Sequence, residues 1–282
     1  MQVVLISGLS GSGKSVALKV LEDNGYFCVD NLPVKLFAET VELLRTSGNE
    51  RIAISIDARG GETVSLLPQR VEQLKLNGVD ARLLFLDAKD DTLIRRFTET
   101  RRRHPLATGQ VTLEEAIAHE RDLLSPVAEA GHRIDTSGLQ PNALRNWIKD
   151  LLQIERGETS LLFESFGYKQ GIPLDADFVF DVRCLPNPFY DPQLRPLTGR
   201  DAAVIAFLEK EPSAGRMLAD IRTFIENWLP AFRRDNRAYL TVAIGCTGGQ
   251  HRSVYLSEAL AAHFRAQPGA GPVLVRHRQL DD

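Results

Sequence analysis

Two α/β domains in tandem are what this 282-residue sequence predicts. Three observations predict them. Short apolar runs alternate with longer segments of helical period, which is the pattern of βαβ units feeding a parallel sheet. The alternation breaks at the polar stretch "ERGETS", Glu155 to Ser160, and then starts again. Each half also places a glycine-rich segment at one strand-to-helix corner. The expected division is a first domain over 1–154 with a parallel sheet and a second α/β domain over 161–282, a length that suits two domains of ordinary size.

Taken in order, the first half offers strands at Val3–Ser7, Tyr26–Val29, Ile52–Ile56, Arg82–Leu86 and Arg133–Asp135. Helical period marks Lys14–Asn24, Val34–Arg45, Val64–Leu76, Asp91–Arg101, Leu113–Ala128 and Asn142–Ile154. Gly25 and Gly78 follow helices at the position where a left-handed residue commonly closes them. The second half reads as strands Leu161–Phe166, Phe178–Asp181, Leu240–Gly245 and Val273–Arg276, with helices near Ala202–Lys210, Met217–Phe232 and Ser253–Ala266. A proline-rich loop, "LPNPFYDPQLRPLTG", lies between them.

Composition is that of a globular chain: 43% hydrophobic, 25% charged, net charge −3. That charge supplies no overall positive field for nucleic acid or acidic membrane, so polyanion binding has to be local. Cys28, Cys184 and Cys246 are odd in number and widely spaced, which argues against a disulfide framework and against structural zinc. Met1 leads directly into "QVVLISG", too short a run for a secretory signal, and no apolar run approaches the ~20 residues of a membrane span. The expectation is a cytoplasmic protein with no membrane contact.

"GLSGSGKS", Gly8 to Ser15, matches G-x-x-x-x-G-K-[ST] between an apolar strand and an amphipathic helix, the context that marks a phosphate-binding P-loop. Gly8, Gly11 and Gly13 let the backbone of Leu9, Ser10 and Ser12 curl so that successive N–H groups point inward at phosphate oxygens. Lys14 is placed to meet the β- and γ-phosphates, the Ser15 hydroxyl to ligate Mg²⁺, and the helix that starts here adds its positive end. The first domain is therefore expected to be a P-loop NTPase domain taking ATP or GTP with Mg²⁺.

Three carboxylates compete to hold that magnesium through water. Asp57 ends an apolar strand and opens "DARG", so that Asp57, Ala58, Arg59 and Gly60 make a D-x-x-G turn able to sense a γ-phosphate; it is the favoured candidate. Asp30, in "YFCVDN", sits where P-loop kinases face a carboxylate to the acceptor. Asp87, in "LLFLDA", reads as a cap for the helix that follows. Within "LIRRFTETRRRHPL", helical spacing puts Arg95 and Arg102 on one face and Arg96 and Arg103 on another, either as a lid over triphosphate oxygens or as a solvated basic face.

"GCTGGQHRSV" occupies a second strand-to-helix corner. Gly248 and Gly249 free the backbone, the helix start supplies N–H donors, and Arg252 is able to take a phosphate bidentately. Cys246 and Arg252 have five residues between them, the spacing of cysteine-dependent phosphatases, and a cysteine at such a helix start would have a depressed pKa. Phosphate binding, a phosphatase with Asp181 or Asp191 as acid, and a structural turn all fit these residues.

"GLSGSGKSVALKVLEDNGYFCVDNLP", "SIDARG", "LIRRFTETRRRHPL", "FESFGYKQGIPLDADFVFDVRCLPNP", "DPQLRPLTG" and "YLTVAIGCTGGQHRSVYLSEAL" together resemble, almost end to end, the RapZ family of bacterial nucleotide-binding RNase adapter proteins. The resemblance implies an N-terminal P-loop domain that binds and slowly hydrolyses ATP and GTP, with Lys14, Ser15 and Asp57 at the reacting end. It implies a C-terminal domain that binds a phosphorylated amino sugar through Asp181, Cys246, Thr247, Gly248, His251, Arg252 and Ser253, with Cys246 lining the site rather than attacking. In some members that domain also binds small regulatory RNA and engages an endoribonuclease, and the subunits form homo-oligomers.

Two positions depart from the family pattern. Where enterobacterial-type members read "NPHWDP", this chain reads "NPFYDP", so Phe189 replaces a polar contact. Those members end in a Lys/Arg-rich tail that grips RNA phosphates, whereas this chain ends "VRHRQLDD", leaving RNA binding to Arg276, His277, Arg278 and arginines elsewhere. A P-loop small-molecule kinase, with Asp30 on the acceptor side, is the rival from another class.

Overall fold

A computed structural model of the chain describes residues 1–108, 110–152, 159–234, 239–267 and 271–280. The chain divides into two compact units, 1–152 and 153–282. Residues 155–158 of the polar stretch and the two final aspartates lie outside the described residues, as do the last two residues of the helix expected over 142–154.

The first unit is a five-stranded sheet of β1 (Gln2–Gly8), β2 (Phe27–Val29), β3 (Arg51–Ser55), β4 (Asp80–Asp87) and β5 (His132–Asp135). The strand order is β2-β3-β1-β4-β5, and every pairing is parallel. Helices α1 (Lys14–Asp23), α2 (Phe37–Thr46), α3 (Leu67–Leu76), α4 (Asp90–Thr100) and α5 (Leu113–Ala130) make the crossovers, and α6 (Pro141–Leu152) follows the last strand. Because helices cover both faces, the central strands read as unbroken apolar runs: Val3, Val4, Leu5 and Ile6 are all at most 1% exposed. Gly25 and Gly78 close helices with φ of 82° and 80°.

Three boundaries move from their expected places, each for a local reason. The segment expected as one helix from Val34 is a 3₁₀ turn, Val34–Leu36, followed by α2. The segment expected from Val64 is a 3₁₀ stretch, Ala58–Leu66, broken at Gly61 (φ 60°), and α3 starts only at Leu67 because Pro68 is tolerated in a first turn but not inside a helix. Helix α4 stops at Thr100, where Arg101 turns left-handed at φ 51°. Arg102 and Arg103 therefore lie beyond the helix, and the two basic faces expected from helical spacing do not form.

The second unit carries β6 (Ser160–Gly167), β7 (Phe178–Asp181), β8 (Tyr239–Cys246) and β9 (Val273–His277) in the order β7-β8-β6-β9, again all parallel. Helices α7 (Ala202–Glu209), α8 (Pro212–Arg234) and α9 (Arg252–Arg265) complete it. Helix α8 begins five residues before the expected Met217, since Pro212 supplies the preset φ of a first helical residue. Its core joins Leu161 and Phe163 of β6 to Ile221 and Ile225 of α8 and to Leu256, Leu260 and Phe264 of α9. Among the described residues no helix is long and apolar enough to cross a membrane.

Candidate functional site

In the first unit the connection after β1 leads through α1 to β2 on one side, while the connection after β3 leads to β4 on the other. Two neighbouring strands whose exits diverge leave a crevice at their C-terminal ends, where ligands of open α/β sheets bind. Gly8 ends β1, and Asp57 stands two residues past β3, so both favoured motifs arrive at this crevice.

Gly8, Gly11 and Gly13 have φ of 140°, 87° and 107°. A Cβ on Gly8 would stand 2.1 Å from the Leu86 carbonyl oxygen of β4, so this position admits no side chain. Leu9 is fully buried and anchors the loop in the core, and the amides expected to face phosphate are engaged within the protein, Leu9 N–H by Leu86 O at 3.1 Å, Ser10 N–H by Glu120 at 2.8 Å and Ser12 N–H by Leu9 O at 3.1 Å, which leaves the start of α1 to meet an anion. Helix α1 starts from Gly13, and no side chain caps it; the Val16 N–H bonds back to Gly13 O at 3.0 Å, and the Lys14 and Ser15 amides stand ahead of it at the positive end of the helix. Lys14 Nζ donates to Gly8 O at 2.6 Å and to Leu9 O at 3.1 Å. Burial pushes its ammonium below the ordinary lysine range, and the charges of Glu120, Asp57 and Asp30 draw it partly back.

Ser15 is exposed at the start of α1, and Asp57 is 8% exposed. A hydroxyl and a carboxylate are the oxygen donors that Mg²⁺ takes, so the residues present fit the metal that a bound nucleotide would bring. The Asp57 carboxylate caps the 3₁₀ stretch by accepting the Arg59 N–H at 3.0 Å and pairs with Arg59 Nε at 3.1 Å. Ala58 is buried, and the Gly60 N–H bonds back to Asp57 O at 3.4 Å. Asp57–Gly60 thus forms a turn held by bonds to Asp57.

Glu120 and Thr136 had no motif to announce them. Glu120 of α5 is fully buried and holds Ser10: its carboxylate accepts the Ser10 N–H and hydroxyl, each at 2.8 Å. Of the five arginines in and beyond α4, Arg96 reaches the loop. Its guanidinium donates to Gly11 O at 2.9 Å and to Thr136 O at 2.7 Å, and Thr136 Oγ1 donates to Ser12 O at 2.9 Å. Arg95 instead pairs with Glu99 at the surface. Asp87 does not cap α4, whose N-cap is Lys89; its buried carboxylate is gripped by Arg121 and Arg133.

The second unit repeats the topology. After β6 the chain goes to β7, and after β8 it goes through α9 to β9, so the exits of β6 and β8 diverge. Gly167 and Cys246 are partners in register at that edge, and Asp181 pairs with Gly245 beside them. The structure therefore brings Asp181, Cys246, Thr247, Gly248, His251, Arg252 and Ser253 to one strand-end cluster. Thr247 is exposed, Gly248 is partly so, and Cys246, His251, Arg252 and Ser253 are buried.

Cys246 Sγ lies 3.1 Å from Ser253 Oγ and accepts the Gly249 N–H at 3.2 Å. Burial raises the thiol pKa, yet bonds from the Ser253 hydroxyl and amide and the Gly249 amide, with the charge of Arg252, outweigh it and leave the group below its ordinary value. Arg252 does not present a free fork: Nη1 donates to the Arg183 and Leu185 carbonyls, both at 2.8 Å, and Nη2 to Thr247 Oγ1 at 3.3 Å. It clamps the loop to the segment after β7. Arg183 also binds Asp181 through Nη2 at 2.6 Å, which holds that carboxyl below the usual range, and its guanidinium lies 4.0 Å above the Tyr168 ring. Gln279 accepts the Gly167 N–H at 2.8 Å and lies where a Cβ on Gly249 would stand.

The family model of the RapZ-like N-terminal domain matches residues 1–156, and that of the RapZ C-terminal domain matches residues 159–281. The chain belongs to the RapZ family. It is 63% identical over 279 residues to a nucleotide-binding protein of Aromatoleum aromaticum, covering 99% of this chain and 94% of that one. It is 61% identical over 280 residues to a nucleotide-binding protein of Thiobacillus denitrificans, covering 99% and 100%. A sugar kinase of Janibacter sp. aligns with 54% of this chain and 94% of its own at 15% identity and a TM-score of 0.37, too loose a likeness to carry an argument.

Within this RapZ-family chain the basic residues near the C-terminus are not offered to solvent. Arg276 and Arg278 have side chains 7% and 8% exposed, and each stands 3.3 Å from the buried carboxylate of Glu164, with Asp175 beside them. His277 bridges Ser165 Oγ at 2.7 Å and Glu258 at 3.0 Å. The three residues named for RNA phosphates are parts of the second unit's interior. Phe189 is half exposed beneath the guanidinium of Arg195.

Proposed function

We propose that this protein is a nucleotide-binding regulator of the cytoplasm, which binds ATP or GTP with Mg²⁺ at Gly8–Ser15 and hydrolyses it slowly. The observation that carries the reading is the glycine-permitted curl of that loop at the switch point, running into an uncapped α1 whose second residue is Ser15. Lys14 supplies the fixed positive charge, Ser15 and Asp57 would hold the metal, and Ala58, Arg59 and Gly60 stand with Asp57 beside the phosphates. Bound Mg²⁺ would neutralise charge developing on the transferred phosphoryl oxygens. The relatives from Aromatoleum aromaticum and Thiobacillus denitrificans are named nucleotide-binding proteins, which supports this reading.

The second unit is proposed to recognise a phosphorylated amino sugar at the edge formed by Asp181, Thr247, Gly248 and the start of α9. Amides of the loop would face the phosphate, and the Asp181 carboxylate would face the ammonium of the sugar. A phosphatase is the poorer reading, because the Asp181 carboxylate is paired with Arg183, which lowers its pKa and favours the ionised form over the acid, while Asp191 is turned to the Gln193 amide. RNA and endoribonuclease contacts, and homo-oligomer formation, rest on the resemblance alone. For RNA the contacts would fall on arginines other than Arg276 and Arg278.

Calorimetry tests both halves: ATP and GTP titrated in magnesium buffer, then an amino-sugar phosphate against the same sugar without phosphate. Heat from neither nucleotide removes the first reading, and equal heats from the two sugars remove the second. A kinase remains the second reading for the first unit, since Asp30 stands exposed just past β2, near enough for its charge to act on Lys14. Turnover that rises many-fold with one acceptor would select it.

A further inference from the structure

Glu120 lies in the middle of an apolar stripe. On α5 the buried residues are Ala116, Ile117, Glu120, Leu124 and Val127, a helical period that a carboxylate interrupts at its centre. Such a group is retained in a core only where donors surround it. Here three do: the Ser10 N–H and hydroxyl at 2.8 Å, and His104 Nε2 at 3.0 Å. The Leu106 N–H donates to His104 Nδ1 at 3.2 Å, which makes Nδ1 the acceptor and leaves the ring proton on Nε2, aimed at Glu120.

The bond to the Ser10 amide fixes the plane of the Leu9–Ser10 peptide, since Ser10 N and Leu9 O belong to one rigid unit. On the opposite side of that unit, Leu9 O takes the Ser12 N–H and Lys14 Nζ, both at 3.1 Å. One peptide thus joins α5 to the residues that shape the turn and seat the lysine.

We propose that Glu120, oriented by His104, is a positioning residue of the glycine loop, fixing the Leu9–Ser10 peptide and through it the curl that receives a triphosphate. The inference rests on the nucleotide reading above. Neither side chain touches the reacting atoms in this scheme, so neither is catalytic.

The test measures affinity for a fluorescent ATP analogue together with thermal melting, in wild type, Lys14→Ala, Glu120→Gln, His104→Leu, His104→Gln, Ser10→Ala and the double variant Glu120→Gln/Ser10→Ala. Glu120→Gln is expected to weaken binding roughly tenfold or more, the loss typical of a hydrogen bond to a charged group. His104→Leu should lose affinity as well, and His104→Gln, which returns an N–H near Nε2, should recover most of that loss. Glu120→Gln and Ser10→Ala should be markedly non-additive, as residues sharing one contact are. Wild-type affinity in folded Glu120→Gln, or additive losses in the double variant, would overturn the proposal, as would lower melting points with unchanged affinity. If Glu120→Gln does not fold, the loss in His104→Leu and its recovery in His104→Gln decide, and wild-type affinity in folded His104→Leu overturns the proposal. Wild type that binds no nucleotide, indistinguishable from Lys14→Ala, would instead remove the parent reading.

Discussion

The carboxylate of Glu120 meets the amide of Ser10 at 2.8 Å although 110 residues separate them in the chain. The first glycine loop is therefore held from outside its own motif, and its shape depends on the packing of α5 as much as on its glycines.

Lys14→Ala should abolish nucleotide binding. Losing two charge-assisted contacts to phosphate corresponds to about a hundredfold or more in affinity, with the fold retained because the ammonium's present partners are carbonyls of its own loop. Calorimetric titration with ATP and GTP, beside a melting curve, checks both parts.

Gly8→Ala should destabilise the first unit. Its Cβ would collide with the Leu86 carbonyl oxygen, and φ of 140° is strained for any L residue. The cost expected is roughly 3 kcal/mol or more, read from chemical denaturation. Gly48→Ala, with φ of 84° but open space around it, should cost less.

The Cys246 thiol should make stability rise with pH. Its folded pKa lies below the unfolded value, so between the two the unfolded chain holds a proton that the folded chain has released. Stability gained across that window is fully present above the unfolded thiol pKa and is lost as pH falls through the folded one. Cys246→Ser should remove this component from the pH profile of denaturation. Cys28, which burial pushes up to about 11, has the opposite sign and stays common to both proteins.

Arg276→Ala with Arg278→Ala should act on folding before it acts on any RNA. Removing both guanidiniums leaves Glu164 charged and buried, a loss of about 3–5 kcal/mol. Urea denaturation of the second unit is the measure, and a double variant as stable as wild type would show the pairs to be dispensable.

The strands were legible because parallel sheets covered on both faces demand continuous apolar runs, which Val3–Ile6 and Leu240–Ile244 supply. Both loops were legible because glycines at strand-to-helix corners have few other uses. Helix starts and stops were less so: Arg101 ends α4 in a left-handed conformation that no glycine signals, and this dissolves the basic faces that spacing alone suggested. Glu120 left one overlooked mark, a charge set among Ala116, Ile117, Leu124 and Val127 at helical period. His104 left none, since its value lies in a tautomer set by a backbone amide. Arg276 and Arg278 looked like surface charges because their partners, Glu164 and Asp175, are more than a hundred residues away.

Lys14 rests against the carbonyls of Gly8 and Leu9, so the loop carries its own rival for any incoming anion. An arriving guest has to evict those oxygens before it gains the full strength of the ammonium, which raises the concentration at which the crevice fills. Affinity at this crevice is thereby set partly by the host's own backbone, a threshold that changes in Leu9 or Ser10 would shift without any alteration of the lysine.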